Sequence, residues 1–325
     1  MSSGHLAKRV MLVCNAATSM GYAIARRLGA SGAHVYISDV DETGLRYALD
    51  GLRGADISAS AITADLADEV QRRALFDSIP YPIEFLPYPI DTVEQGSGYT
   101  IRKEHAQLNA TVICHKPNRI KGDIINSSTD EFDQIFTKYL SVPFFTCREA
   151  LPLLLESKNG ATQLSTSTSA SSSSSENSPQ HSAFPVSASS SIVFVGSIAG
   201  YTPFVDVGLY SAAQTGLLGL CKAMARSLAP RNVRVNAVCL GMFDDDGSGA
   251  SWSSCSGSGD GAPNANSMTS AEADAVRGQL AACIPLGRTG RGKDVAGLVE
   301  FLVSDAASYI TGENFPVTGG VAVKL

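Results

Sequence analysis

A doubly wound α/β fold, a parallel sheet with helices on both faces, is the class this sequence predicts. Two observations carry it. Short apolar runs alternate with segments of helical period along most of the chain, as right-handed crossovers between parallel strands require. The first run leads through a small polar turn into a helical segment. The elements follow in order. Arg9 to Cys14 reads as a strand, Met20 to Leu28 as a helix, Ala33 to Ser38 as a strand and Glu42 to Leu52 as a helix. Ile57 to Thr63 alternates as a third strand, and Asp68 to Ile79 has helical spacing. Ala110 to Cys114 is a fourth strand, Thr129 to Glu156 one long helix and Ser191 to Ser197 a fifth strand. Val207 to Ala229 is a helix, Val233 to Leu240 a strand, Lys293 to Ser304 a helix and Asn314 to Val317 the seventh strand.

Three segments interrupt the rhythm. Pro80 to Asn109 holds two Pro-Tyr-Pro-Ile repeats, which cannot continue a helix. Gln163 to Ser190 is dominated by serine, and Asp244 to Ser270 by Gly, Ser and Asp. The last two carry too few apolar residues to offset the entropy of ordering, so they read as surface insertions. Removing three insertions of roughly 25 residues each leaves about 250, a common size for one α/β domain. One domain over residues 1–325 is the expectation.

Composition excludes several function classes. The net charge is −6 with no basic run, so neither nucleic acid nor an anionic membrane surface is an expected partner. No apolar stretch is long enough for a membrane span, and Met1 to Arg9 lacks the apolar core of a secretory signal. The seven cysteines are scattered, with no Cys-x-x-Cys and no His at zinc spacing. They read as reduced thiols of an intracellular protein, with no metal site.

Candidate site residues fall at the ends of the strands. The first turn reads Val13-Cys14-Asn15-Ala16-Ala17-Thr18-Ser19-Met20-Gly21. Asn15 is a residue that tolerates positive φ, and Gly21 suits close contact of helix and turn. Asp39 ends the second strand, about twenty residues beyond the turn, where an acid bonds a ribose hydroxyl and repels a 2′-phosphate; the other reading is a helix N-cap cluster with Asp41 and Thr43. Asp65-Leu66 after the third strand is either an adenine contact or an N-cap. Cys114-His115-Lys116-Pro117 follows the fourth strand, where a loop role suits His115 better than ligation. Further on, Ser197 is followed thirteen residues later by Tyr210, and four residues after that by Gln214.

The Ser197/Tyr210 spacing resembles the active-site segment of the short-chain dehydrogenase/reductase family, whose signature is Y-x-x-x-K. The strings AIARRL from Ala23, TGLLGL from Thr215, LAPRNVRVNAV from Leu228, IPLGRTGR from Ile284 and DAASYITGEN from Asp305 resemble that family's carbonyl reductases. The resemblance spans nearly the whole chain outside the three insertions. It implies a Rossmann-like sheet, a nicotinamide cofactor, a small carbonyl or alcohol substrate (ketone, quinone or retinal) and a homo-oligomer, dimer or tetramer. It implies that Ser197 polarises the carbonyl and that Tyr210 passes the proton. The lysine that lowers the tyrosine pKa is replaced by Gln214, and the asparagine that holds a relay water by Tyr139. Lys138 and Lys222 are poor stand-ins, one about 100° round its helix from Tyr139 and the other about 18 Å along its own.

The family turn, T-G-x-x-x-G-x-G, survives as Asn15, Ser19 and Gly21, with Met20 between the last two. N-N-A-G is absent at the fourth strand, and Leu240-Gly241 stands for the family's P-G. Asp39 makes NAD(H) the expected dinucleotide, rather than NADP(H), if one binds. The alternative to an impaired reductase is a catalytically silent member acting as a binding or oligomer partner; a third reading is a nucleotide sensor. The long helices resemble the family's main dimer contact and carry a surplus of apolar residues in Phe144, Phe145, Leu151, Leu217, Leu218 and Leu220. A cytoplasmic protein is expected, Val323-Lys324-Leu325 being a poor match to the peroxisomal S-K-L.

Overall fold

A computed structural model describes residues 4–79, 108–114, 124–155, 189–203, 207–243, 278–279 and 281–322. The bodies of the three insertions, His115 to Pro117 and Val323-Lys324-Leu325 lie outside the described residues. Seven strands form one sheet: β1 Val10–Cys14, β2 His34–Asp39, β3 Ala59–Thr63, β4 Ala110–Ile113, β5 Ser190–Ser197, β6 Val233–Leu240 and β7 Asn314–Val317. Their order is β3-β2-β1-β4-β5-β6-β7, and every pair is parallel. The helices are α1 Ser19–Ala30, α2 Glu42–Arg53, α3 Glu69–Asp77, α4 Thr129–Phe136, α5 Val142–Leu155, α6 Gly208–Leu228 and α7 Gly292–Val303. The doubly wound Rossmann-like expectation holds, and most element ends fall within two residues of those read from sequence.

Strand alternation makes the two layers. Met11 and Val13 of β1 face the cluster built with Ile24 and Leu28 of α1, Leu45 of α2 and Val299 of α7. Val10 and Leu12 face the other cluster, with Leu75 of α3, Cys147 of α5 and Leu217 of α6. Both faces are covered, so the central strands are buried along nearly their whole length and are mostly apolar. Among the described residues no helix is long and apolar enough to cross a membrane.

The ends of two insertions differ from the sequence reading. Asn109 belongs to the sheet: its side-chain oxygen accepts the Val10 N–H at 2.8 Å, and Leu108 is fully buried. Ser190 already pairs with Val233 as the first residue of β5. Polar residue types concealed strand ends whose hydrogen-bonding groups are satisfied inside the fold. After β6, Phe243 and Gly290 form an isolated parallel bridge, with Gly290 N–H on Met242 O at 2.9 Å. A Cβ at Gly290 would lie 2.6 Å from the Phe243 ring.

The expected single helix from Thr129 to Glu156 is broken by a π-helical turn, Thr137–Ser141, with the Val142 N–H reaching Thr137 O. Pro143 follows at once. It has no N–H for the Tyr139 carbonyl, and its ring crowds that carbonyl, so the helix widens there. Proline 143 was the sequence signal for this break.

Buried charge holds the far end of the sheet. Arg234 donates to Ser189 Oγ at 2.8 Å, Leu302 O at 2.7 Å and Ser304 O at 3.1 Å, capping the last carbonyls of α7. Burial pushes its guanidinium down to about 10. Glu300 of α7 is 4% exposed and accepts from Arg27 at 2.5 Å and from Ser31, tying α7 to α1.

The described cysteines are free thiols. Burial pushes the thiols of Cys14, Cys221 and Cys239 up to about 12, and that of Cys147 well above its ordinary value. A raised thiol pKa leaves less thiolate, which is the reactive form. At pH 8 Cys283, which is exposed, should alkylate promptly, and these four only after unfolding. Peptide mapping of pulse-alkylated protein checks this; rapid native labelling of Cys14 or Cys239 would contradict it.

Candidate active site

The C-terminal ends of the parallel strands lie level, Cys14 opposite both Ser38 and Ile113, and Ser197 opposite Leu240. In a doubly wound sheet this edge is where ligands bind. Two turns build the site, one after β1 and one after β5.

The first turn keeps its shape with one glycine. Asn15 takes φ 56°, the left-handed conformation that asparagine tolerates. Its side-chain N–H₂ donates to Cys114 O at 2.6 Å, joining the ends of β1 and β4. Gly21 has no room for a side chain, since a Cβ would lie 2.5 Å from Asn15 O. Thr18, which the sequence reading passed over, caps α1: its Oγ1 donates to Asn15 O at 2.7 Å and accepts from Gly21 N–H at 3.1 Å. A threonine directly before a helical run was the available signal. Ser19 is exposed at the first helical position, while the Met20 side chain is buried in the core. Among the described residues nothing accepts from the N–H groups of Ser19 and Met20. Free donors at the head of a twelve-residue helix fit an anion such as a dinucleotide pyrophosphate.

Asp39 is 2% exposed. Its Oδ2 accepts from the Ala17 N–H at 3.0 Å and its Oδ1 from the Asp41 N–H at 3.1 Å. It therefore clamps the first turn. The N-cap of α2 is Asp41, whose carboxylate accepts from Gly44, and Asp39 supports that cap through the Asp41 N–H without being the cap itself. Asp65 is likewise not a cap: Asp68 caps α3, while Asp65 accepts from Ala67 N–H at 2.8 Å in the preceding turn. Leu66 is buried in the core, and its carbonyl accepts from Arg72 at 2.6 Å.

The second turn carries the hydroxyls. Ser197 ends β5 and its Oγ accepts from Ala199 N–H at 3.1 Å. That bond fixes the oxygen and leaves its proton able to donate. Tyr210 lies in the first turn of α6, half-buried, with its ring edge-on to Tyr139 at 4.9 Å. Tyr139 is fully buried among Ile135, Leu209 and Ala213. A ring fills this space, so Tyr139 stands here as a packed side chain. Lys138, on the π turn, places its ammonium 5.3 Å over the Tyr139 ring. Lys222 is exposed further along α6.

Gln214 is 1% exposed, and its Oε1 accepts from the Ser197 N–H at 2.9 Å. It is turned into the wall behind Ser197. Tyr201 nearby is no alternative base: burial, then Cys239, push its phenol above the ordinary value.

Of the apolar residues on the long helices, Leu217 and Leu218 are buried in their own core and contribute no outer surface. A groove of about 390 Å³ does lie between the two helices, walled by Leu140, Phe144, Gly216, Gly219, Leu220 and Ala223.

Known proteins share this architecture. A family model described as short chain dehydrogenase matches residues 9–184 and 180–254, and one described as enoyl-(acyl carrier protein) reductase matches residues 261–322. Dehydrogenase/reductase SDR family member 4 of Mus musculus is 26% identical over 320 residues, covering 98% of this chain and 89% of that protein. Dehydrogenase/reductase SDR family member 2, mitochondrial, of Homo sapiens is 27% identical over 316 residues, covering 97% and 87%. A variant of actinorhodin polyketide ketoreductase with NADPH is similar in fold, with a TM-score of 0.71, 21% identity and 98% of each chain covered.

The packing of Tyr139 gives a direct expectation. Tyr139→Asn should lower stability by about 3–5 kcal/mol, the range for removing a buried aromatic ring. Urea denaturation with an unchanged slope measures it, and a loss under about 1 kcal/mol would mean the ring is not packed.

Proposed function

The chain belongs to the short-chain dehydrogenase/reductase family, and on that premise we propose that it is a nicotinamide-dependent carbonyl reductase whose proton transfer is impaired. The observation that carries this reading is that Ser197, its hydroxyl fixed by Ala199, ends β5, while Tyr210 stands in the first turn of α6, the helix that packs on the turn after β5 at Gly200. A bound nicotinamide would supply hydride. The protein's own part is to polarise a ketone, quinone or similar carbonyl by donation from Ser197 and to hold a proton on Tyr210. A tyrosine of ordinary pKa near 10 is a competent acid and a poor base at neutral pH. With glutamine at position 214, carbonyl reduction should therefore suffer less than alcohol oxidation. General acid–base help is typically worth about 10² to 10⁴ in rate, so the deficit is large without abolishing reduction.

Asn15, Ser19, Met20 and Gly21 would hold the pyrophosphate end, with the amides of Ser19 and Met20 as donors. Asp39 would meet the adenine ribose, and Asp65 and Leu66 the adenine. The Asp39 carboxylate favours NAD(H), because a 2′-phosphate there would face a negative charge.

A second reading is a catalytically silent member that serves as a binding or oligomer partner. The sealed position of Tyr139 and the inward Gln214 favour it. Under either reading the groove between α5 and α6 favours a homo-oligomer: Phe144 in its wall is 39% exposed, and a Cβ at Gly219 would meet nothing within 4 Å among the described residues.

NADH should bind about tenfold or more tighter than NADPH, a difference of about 1.4 kcal/mol. Calorimetric titration checks this, and tighter NADPH binding would remove Asp39 from the ribose site. Single-turnover mixing with NADH and a panel of ketones and quinones should give slow nicotinamide oxidation that Tyr210→Phe abolishes. Binding without any turnover would leave the silent-partner reading standing.

A further inference from the structure

The replacement of lysine by Gln214 looks like a plain loss. The geometry points to something else: we propose that Gln214 is a positioning residue that sets Ser197 through its backbone, so that restoring lysine would weaken the site. The catalytic consequence rests on the reductase reading above; the structural part does not.

The ladder between β5 and β4 ends at Phe194 opposite Ile113, so Val195, Gly196 and Ser197 run on without that neighbour. The Ser197 N–H is taken by Gln214 Oε1 at 2.9 Å in a buried bond. The amide orientation follows from its neighbour. Reversing it would set the Gln214 N–H₂ against the Ser197 N–H, two donors face to face. In the observed orientation Nε2 is buried with no partner among the described residues, whereas the reversed orientation would leave the Ser197 N–H unsatisfied as well.

The seat is also shaped for this side chain. A Cβ at Gly196 would lie 2.9 Å from Gln214 Oε1, and one at Gly200 would lie 2.9 Å from the Gln214 backbone carbon. Thr215 Oγ1 donates to Gly200 O at 2.9 Å, closing the same contact. Ser197 is thus fixed twice, by Gln214 at its N–H and by Ala199 at its Oγ. A lysine at 214 cannot accept from the Ser197 N–H. Its ammonium would enter a space where Gln214 is 1% exposed, or leave it and abandon Ser197.

Backbone hydrogen exchange, read residue by residue on the full chain, tests the structural part. The Ser197 amide should be protected in the wild type. Gln214→Met, which has no acceptor, should speed its exchange about tenfold or more while Ile192 to Phe194 stay unchanged. Gln214→Glu, which keeps an acceptor oxygen, should retain protection. Gln214→Lys should behave like Gln214→Met. If Gln214→Met does not fold, an unprotected Ser197 amide in the wild type overturns the proposal by itself, as does unchanged exchange in a folded Gln214→Met.

Turnover supplies the second arm. Gln214→Met and Gln214→Lys should lower kcat for carbonyl reduction with little change in KM, and Gln214→Glu should rescue it. A Gln214→Lys variant that gains turnover with Ser197 still protected would also overturn the proposal. A wild type that turns over nothing yet shows the exchange pattern would sink the reductase reading and leave the positioning of Ser197 intact.

Discussion

The candidate site depends on one close approach, that of α6 to the turn after β5. At Gly200 the two backbones touch, and any side chain there would strike the chain at Gln214. Because they touch, a residue at the end of a strand and one in the first turn of a helix can share a site. The Thr215 and Gln214 side chains bond across the contact, one to the Gly200 carbonyl and one to the Ser197 amide. The strand end and the helix start therefore act as one rigid piece, as a preorganised site requires.

The turn after β1 reaches a similar rigidity by another route. Where related proteins use glycines, this chain uses side-chain hydrogen bonds. Asn15 bridges to β4, Thr18 closes the first turn of α1, and Asp39 reaches over from β2 to the Ala17 amide. The substitution of side-chain bonds for backbone freedom changes what remains for a ligand. The amides of Ala17 and Gly21 are occupied, and among the described residues nothing accepts from those of Ser19 and Met20.

The strands and most helices were legible because their signals are local. Period-2 and period-3.6 patterns act over a few residues and need no distant partner. The spacing placed Ser197 at a strand end and Tyr210 at a helix start, where the structure has them, and the tolerance of asparagine for positive φ marked the turn at Asn15. What the sequence hid depends on partners distant in the chain. Asp39 could be placed at the end of β2, but its bond to Ala17 needs two adjacent parallel strands. Gln214 read as an absent lysine, because substitution at a motif position suggests loss; its bond to Ser197 appears only when α6 lies on β5. The π turn was foreshadowed by Pro143, whose effect acts on the carbonyl four residues before it. Polar strand ends such as Asn109 and Ser190 were invisible for a related reason, since composition cannot tell a satisfied buried polar group from a loop.

The bridge between Phe243 and Gly290 bears on how this chain can change. It brings the two ends of the longest excursion after β6 to one place, with Phe243 anchored in the core. The entropy of closing a flexible loop grows only as the logarithm of its length, about 0.6 kcal/mol per doubling. With its ends held together by the bridge, a change in the length of the chain between Phe243 and Gly290 would alter the closure entropy only slightly, and the sheet would hardly register it.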